Sequence, residues 1–389
     1  MAPTHPRILL VTNDFPPTVG GIQSYLRDYA ETLNPENLVV FASTQDRALA
    51  AAFDATVNYQ VVRWSRSVML PTPATIRRMQ ELIRVHHIHT VWFGAAAPLA
   101  LMASAARVAG AQRIVASTHG HEVGWSMFPG TRQALGEIGR SVDVLTYVSR
   151  YARDRMMSAF GPTAAWEPMP GGVNSKTFTP QPEKRDDLRQ RYGLTDKKVI
   201  VAVSRIVSRK GQDTLVEAMP RIVREVPEAH LLIVGPGASE NLQRRARILG
   251  VENAITITGA VDFAELAGHY CVGDVFALPV RTQLGGLSVE GLGIVFLEAQ
   301  ACGVPTVAGN GGGAPETVID GRTGLVVESR DTAQIAETLA SLLLDAPLRS
   351  RLAAAGQEHV EREWNWSRLG AQCRFVMSGV GTPPPSPLR

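Results

Sequence analysis

The sequence predicts an α/β protein of two doubly wound, Rossmann-like domains facing across a cleft. Three observations carry this. Short apolar runs alternate with amphipathic segments along most of the chain, the pattern of βαβ units in a parallel sheet. Pro168-Met169-Pro170-Gly171-Gly172 interrupts that alternation, and a second series of the same kind follows. The 389 residues allow two or three domains, and a composition 45% hydrophobic and 19% charged is that of a soluble globular protein. The predicted divisions are 1–170, 171–364, a C-terminal helix within 365–380, and a disordered Pro-rich tail, 381–389.

The first series opens with a strand, Arg7 to Thr12, ending in Asn13-Asp14-Phe15-Pro16-Pro17. Gly20-Gly21 then leads into a helical pattern from Ile22 to Leu33. Asn37 to Ala42 and Val57 to Trp64 read as the second and third strands. Ala74 to His86 is amphipathic, with Ile76, Met79 and Ile83 at helical spacing. Thr90 to Phe93 is a strand before an Ala-rich helix. Arg113 to Ser117 delivers Thr118-His119-Gly120-His121-Glu122 at its C-terminal end. Val144 to Val148 is the next strand, and Ser149 can cap the helix after it.

The second series starts at Val199 to Val203, which ends in Ser204-Arg205, with Lys210-Gly211 opening a helix. His230 to Val234, Ile255 to Thr258 and Val275 to Pro279 are strands. Thr306 to Ala308 precedes Gly311-Gly312-Gly313, and Gly324 to Val327 is a short last strand. Helices follow over Thr332 to Leu344, Leu348 to Glu363 and Trp366 to Met377. Ligands of such sheets bind at the C-terminal ends of strands, where Asp14, Gly20-Gly21, His119 and Arg205 all fall.

The net charge is +3, and residues 1–170 hold the whole excess, with fifteen Arg and no Lys against twelve acidic residues. Arg63, Arg66, Arg77, Arg78 and Arg84 crowd one segment around the apolar Val68, Met69 and Leu70. Such a patch suits an anionic lipid surface or nucleic acid, and a solvated helix face is the alternative. No apolar run is long enough for a membrane span or a signal-peptide core. Three scattered cysteines read as reduced thiols of a cytosolic protein.

The chemistry concentrates in Leu287 to Gly303. Glu290 and Glu298 stand eight positions apart, with Gly291, Leu292 and Gly293 between them and the apolar Ile294 and Val295 beginning a helix. A glycine-loosened turn at a helix start favours an anion, and carboxylates accept from sugar hydroxyls. The stretch therefore suits a phosphate flanked by two polyols; a buried turn with solvated glutamates is the plain alternative. Arg205 and Lys210 can hold a diphosphate and stabilise it as it leaves. No Asp-x-Asp ends a strand, so metal-free chemistry is expected. His119 can hydrogen-bond a sugar hydroxyl. His121 and Glu122 beside it also raise His-x-His metal ligation as an alternative. Asp14 can orient an acceptor hydroxyl or cap the Pro-Pro turn.

Taken together, these residues resemble a known family. Glu-Gly-Leu-Gly-Ile-Val-Phe-Leu-Glu-Ala is similar to the Glu-x7-Glu motif of retaining glycosyltransferases of the GT-B fold, family 4. Arg205 with Lys210 resembles that family's Arg-x4-Lys pair. Gly20-Gly21, His119, Gly311 to Glu316 and Gly324-Leu325 also fall where its pattern expects them. Asn-Asp-Phe-Pro-Pro, Gly-Gly-Ile-Gln-Ser-Tyr-Leu and Met69-Leu-Pro-Thr-Pro resemble the actinobacterial phosphatidylinositol mannosyltransferases that add the second mannose.

The resemblance implies a peripheral enzyme on the cytoplasmic face of the membrane. Such an enzyme moves mannose from GDP-mannose to an anionic phosphatidylinositol mannoside, with an alpha-1,6 bond, no metal and no nucleic acid. It assigns Glu290 to the donor hexose and Glu298 to the ribose. Arg205, Lys210 and the backbone at Gly20, Gly21 and Leu292 to Val295 are assigned to the diphosphate, and the Gly259 to Val261 backbone to the base. His119 is assigned to the transferred sugar and Asp14 to the acceptor. It implies, too, that the C-terminal helix crosses back to the first domain. Retention without a clear carboxylate nucleophile points to same-face attack, with the leaving diphosphate taking the acceptor proton. A nucleotide-sugar epimerase and a non-catalytic binding protein are the competing readings.

Overall fold

The computed structural model describes residues 6–388. The chain divides into two units, one running to Gly172 and resuming at Trp366, the other spanning Val173–Asn365.

The first unit contains β1 (Ile8–Thr12), α1 (Gly21–Glu31), β2 (Leu38–Ala42), α2 (Arg47–Asp54), β3 (Gln60–Arg63), α3 (Pro73–Val85) and β4 (Thr90–Phe93). It continues with α4 (Ala103–Val108), β5 (Arg113–Ser117), α5 (Glu122–Met127), α6 (Pro129–Ser141), β6 (Val144–Tyr147), α7 (Arg150–Phe160) and β7 (Ala165–Pro168). All seven strands are parallel, in the order β3-β2-β1-β4-β5-β6-β7. Every residue of β1, β2 and β4 is buried, as required of strands covered by helices on both faces. The order reverses between β1 and β4, where the crossovers leave toward opposite edges and open a crevice at the strand ends.

Local sequence explains the helices that matter here. Thr72 caps α3 through its hydroxyl and Pro73 fills the first turn, while Met79, Leu82 and Ile83 form the buried stripe. Ile76 of the predicted stripe is half-buried. On α1, Tyr25 and Tyr29 are buried on the inner face. Their hydroxyls donate to the carbonyls of Met169 (2.7 Å) and Pro170 (2.6 Å), so neither phenol is left unsatisfied. The sequence leaves 122–141 unassigned; there α5 and α6 carry Gly124, Gly130, Gly136 and Gly139, which blur the helical period.

The second unit contains α8 (Pro182–Arg191), β8 (Lys198–Val203), α9 (Gln212–Glu225), β9 (Ala229–Val234), α10 (Glu240–Ile248), β10 (Ile255–Gly259) and α11 (Phe263–Cys271). It continues with β11 (Val275–Leu278), α12 (Ile294–Ala301), β12 (Thr306–Gly309), β13 (Gly324–Val327), α13 (Thr332–Leu344) and α14 (Ala346–Glu363). Its six parallel strands run β10-β9-β8-β11-β12-β13, so its order reverses between β8 and β11.

After Asn365 the chain returns to the first unit as α15 (Trp366–Ser378). Trp366 meets the Tyr29 ring edge-on at 5.0 Å. Thr90 Oγ1 and Arg113 Nε donate to the carbonyls of Met377 and Val376 (2.9 and 2.7 Å). Gly370 lies so close to α1's C-cap that a Cβ there would sit 2.7 Å from Thr32. The sequence predicts disorder for 381–389; in the structure residues 381–383, 385 and 386 are exposed while Pro387 and Leu388 are buried, and Arg389 lies outside the described residues. Leu388 is 2% exposed, and Arg368 donates to the Pro385 carbonyl at 2.7 Å. Prolines lack N–H groups to satisfy, so an apolar Pro-rich strand can lie on a surface without a sheet partner.

Candidate active site

In the second unit the site is built at the reversal of strand order. The loop from β8 to α9 carries Arg205, Arg209 and Lys210. Gly211 ends it at φ 78°, and a Cβ there would sit 2.2 Å from the Pro279 carbonyl oxygen. Only glycine fits both the left-handed backbone and that approach. Gln212 is buried and donates to Ser204 Oγ (2.8 Å) and to the Arg205 carbonyl (3.0 Å), which fixes the loop's first half. The loop after β11 is sewn to its second half: the Arg281 N–H donates to the Arg209 carbonyl (2.8 Å), and Gln283 donates to Ser208 Oγ (2.7 Å).

These ties bring Lys210 to Glu290, eighty residues away in sequence. Lys210 Nζ lies 2.8 Å from Glu290 Oε2, and Arg209 Nε lies 3.8 Å from the same oxygen. The lysine and glutamate side chains are only 10% and 13% exposed. Glu290 Oε2 is buried and receives no aligned hydrogen bond, so the contact with Lys210 is one of charge at short range. A paired but incompletely hydrogen-bonded buried carboxylate retains acceptor capacity for a hydroxyl. Behind it, Gly313 N–H donates to the Glu290 carbonyl at 2.9 Å. Gly312 has φ 62°, and a Cβ there would sit 2.3 Å from that same carbonyl oxygen. The triple glycine is therefore the clamp that seats Glu290. Arg205, by contrast, is exposed and enters no ion pair among the described residues.

Gly293 caps α12 in the left-handed region (φ 94°), which aims the first-turn N–H groups of Ile294 and Val295 out of the strand ends. Glu298 lies on α12, one turn beyond. Its Oε2 accepts from the Tyr270 hydroxyl at 2.5 Å, a contact that orients the carboxylate. Burial, with the Glu298 charge adding to it, pushes the Tyr270 hydroxyl well above its ordinary pKa, so it remains a donor. Val261 follows β10 in a half-buried loop after Gly259, whose φ is 74°.

In the first unit, Asp14 and the Gly20-Gly21 turn follow β1, and His119 follows β5. Asp14 Oδ1 accepts from Gln23 Nε2 (2.9 Å) on the first turn of α1. Gly20 is the N-cap of α1, and Gly21 is exposed. His119 Nε2 lies 2.7 Å from the Gly94 carbonyl, and the Tyr25 ring meets the imidazole edge-on at 4.9 Å. A carbonyl only accepts, so Nε2 carries the proton. Burial, opposed by the Glu122 charge, holds the His119 pKa below its ordinary value. The ring is neutral near pH 7 and Nδ1 is an acceptor. Among the described residues no cluster of three or more His, Cys, Asp or Glu is arranged around a common metal position.

The predicted lipid patch divides. Arg63 is 14% exposed, pairs with Asp54 at 2.6 Å and donates to the Pro16 and Ser43 carbonyls. Met69 is fully buried, and Asn13 clasps its backbone from both sides (2.9 and 2.6 Å). Both are structural: Arg63 is tied to Asp54 and two carbonyls, and Met69 belongs to the apolar core. Arg66, Leu70 (53% exposed) and Arg77 remain on the surface, and Arg78 is half-buried beside Glu81. Among the described residues no helix is long and apolar enough to cross a membrane.

Sequence reasoning overlooked Arg209 and Tyr270. Arg209 adjoins Lys210 and was open to notice, whereas nothing in sequence links Tyr270 to Glu298, twenty-eight positions on.

The chain is similar to known proteins along most of its length. The family model for glycosyl transferases group 1 matches residues 184–359, and that for Glycosyltransferase Family 4 matches residues 19–177. A GDP-mannose-dependent monoacylated alpha-(1-6)-phosphatidylinositol monomannoside mannosyltransferase of Corynebacterium glutamicum is 53% identical over 373 residues, 95% of this chain and 97% of the relative. A GDP-mannose-dependent alpha-(1-6)-phosphatidylinositol monomannoside mannosyltransferase of Mycolicibacterium smegmatis is 51% identical over 377 residues, 96% and 98% of the two chains. The crystal structure of Anabaena HepE in complex with UDP superposes with a TM-score of 0.82 at 18% identity, covering 96% of this chain and all of that one, which supports the fold alone. With two such relatives matched over almost their whole length, this chain belongs to the family 4 glycosyltransferases.

Proposed function

We propose that this enzyme transfers mannose from GDP-mannose to a phosphatidylinositol monomannoside, forming the alpha-1,6 bond with retention. The observation that carries the reading is the Lys210–Glu290 pair with Arg209, seated at the sheet's order reversal in a chain matched end to end by enzymes of that name. Arg205, Lys210 and the N–H groups of Leu292 to Val295 hold the diphosphate, to which Gly20 and Gly21 are also assigned. Glu290 grips the hexose and Glu298 the ribose, while the Gly259 to Val261 backbone meets the base. His119 contacts the transferred sugar and Asp14 the acceptor.

Glu290 already faces two cations, so it is a poor nucleophile and a good hydroxyl acceptor. The acceptor hydroxyl attacks from the face the diphosphate leaves, and the diphosphate takes its proton. Arg205 and Lys210 stabilise the charge that develops. No metal takes part. The enzyme works at the cytoplasmic face of an anionic membrane, held by Arg66, Leu70 and Arg77.

A screen of labelled GDP- and UDP-sugars against phosphatidylinositol and its monomannoside, with linkage analysis of products, tests this. The expected result is one productive pair, GDP-mannose with the monomannoside, active in the presence of a chelator. Transfer from a UDP-sugar, or conversion of donor with no acceptor present, rejects it; the second outcome identifies an epimerase.

A further inference from the structure

Glu122 is the first residue of α5 and is fully buried. Its Oε2 accepts from the backbone N–H groups of His119 (3.0 Å) and Gly120 (3.2 Å). Gly120 has φ 98°, so the turn is held by a left-handed glycine and by this carboxylate together. Its Oε1 is buried without an aligned hydrogen bond and lies 3.3 Å from Nε2 of His121, which is 41% exposed. Glu122 is not the cap of α5, whose N-cap is His121 with no side-chain cap hydrogen bond; its carboxylate serves the preceding turn instead. Burying a carboxylate is costly unless it is paired and hydrogen-bonded, and here the compensation comes from the two N–H groups of the His119 turn and the His121 ring. Oε1 faces His121, and it is Oε2 that reaches the turn carrying His119.

We propose that Glu122 is a positioning residue that fixes the His119 turn and maintains the imidazole as a Nδ1 acceptor for a hydroxyl of the transferred sugar. This rests on the assignment of His119 proposed above. The carboxylate draws the His119 and Gly120 N–H groups inward, which places the ring where Nε2–H reaches the Gly94 carbonyl and Nδ1 has no hydrogen-bond partner among the described residues. Groups facing the ring come from several elements: Glu122 and His121 from its own turn, Asp14 after β1, the Tyr25 edge on α1 and the Gly94 carbonyl after β4. Among them the Glu122 anion does most to raise the ring's proton affinity against burial, which makes Nδ1 a stronger acceptor.

The test uses the full chain. Glu122→Gln keeps an oxygen for the two backbone N–H groups but removes the charge; Glu122→Ala removes both. Imidazole 15N spectra of the wild type near pH 7 are expected to show His119 protonated at Nε2 alone. In Glu122→Gln the same tautomer persists, but the His119 protonation midpoint, and with it the acid limb of kcat, moves to lower pH. Glu122→Ala lowers kcat roughly 10- to 100-fold with the KM for donor little changed. A merely structural role would lower melting temperature without moving the midpoint. An unchanged or raised midpoint in Glu122→Gln overturns the proposal, as does wild-type kcat in a folded Glu122→Ala. Should Glu122→Ala not fold, the Glu122→Gln spectra decide. Full activity of His119→Ala instead overturns the underlying assignment of His119, a result the spectra distinguish because they need no turnover.

Discussion

Lys210 shows what a single residue can be asked to do. It is 8% exposed, and its ammonium is compensated mainly by Glu290. A buried cation of this kind is held close to its partner and ready for a second anion. Arg205 is the exposed member of the pair and enters no ion pair among the described residues. If both neutralise a departing diphosphate, Arg205→Ala and Lys210→Ala should each lower kcat about 100- to 1,000-fold. Near-normal turnover in both, measured on folded protein, removes the leaving-group assignment. The Arg-x4-Lys spacing was legible from sequence because both residues sit on one short loop. Arg209 as a second cation on Glu290 was not, since nothing local tells which way a loop arginine turns.

At the scale of elements, the β8–α9 loop, the β11–α12 connection and the triple glycine after β12 act as one assembly. Gly211 and Gly312 each let backbone pass within contact of a carbonyl in the β11–α12 connection, Pro279 and Glu290 respectively. The segment from β3 into α3 carries the surface prediction. With Arg63 and Met69 inward and Arg78 beside Glu81, the residues left to the proposed lipid patch are Arg66, Leu70 and Arg77. The double variant Arg66→Glu/Arg77→Glu should bind vesicles containing phosphatidylinositol at least about 10-fold more weakly, with binding of GDP unchanged. Equal sedimentation of variant and wild type would refute the patch. The basic cluster was plain in the sequence; which arginines it could spare was not, because Arg63's partners, Asp54 and the Pro16 carbonyl, are brought to it by β3 pairing with β2.

For the whole molecule, burial lowers the pKa values of His89, His119, His230 and His269, His230 to about 4. A histidine depressed in the folded state binds fewer protons there than in the unfolded chain. This contribution to stability is complete above the ordinary histidine pKa and is lost as pH falls toward the folded value. The melting temperature should therefore drop between pH 7 and pH 5. His230 on β9 accounts for part of it; its Nε2 meets Thr256 Oγ1 at 2.8 Å, a contact glutamine can keep. His230→Gln should recover roughly 2–4 °C of the drop. A drop equal to that of wild type would show that His230 is not one of the groups responsible.

By itself the sequence determined the alternation that makes two parallel sheets, the break near residue 170, and the short-range motifs. These are local properties: a period of two or 3.6, a glycine pair, a cation five residues from another. Only the tertiary structure decided that Glu290 meets Lys210 and Arg209, that Tyr270 holds Glu298, that the Glu122 carboxylate accepts from the His119 N–H, and that Leu388 is buried. The reason is topological. A strand order that reverses between β1 and β4, and again between β8 and β11, places loops from distant stretches of chain side by side, and no spacing along the sequence records which side chains then touch.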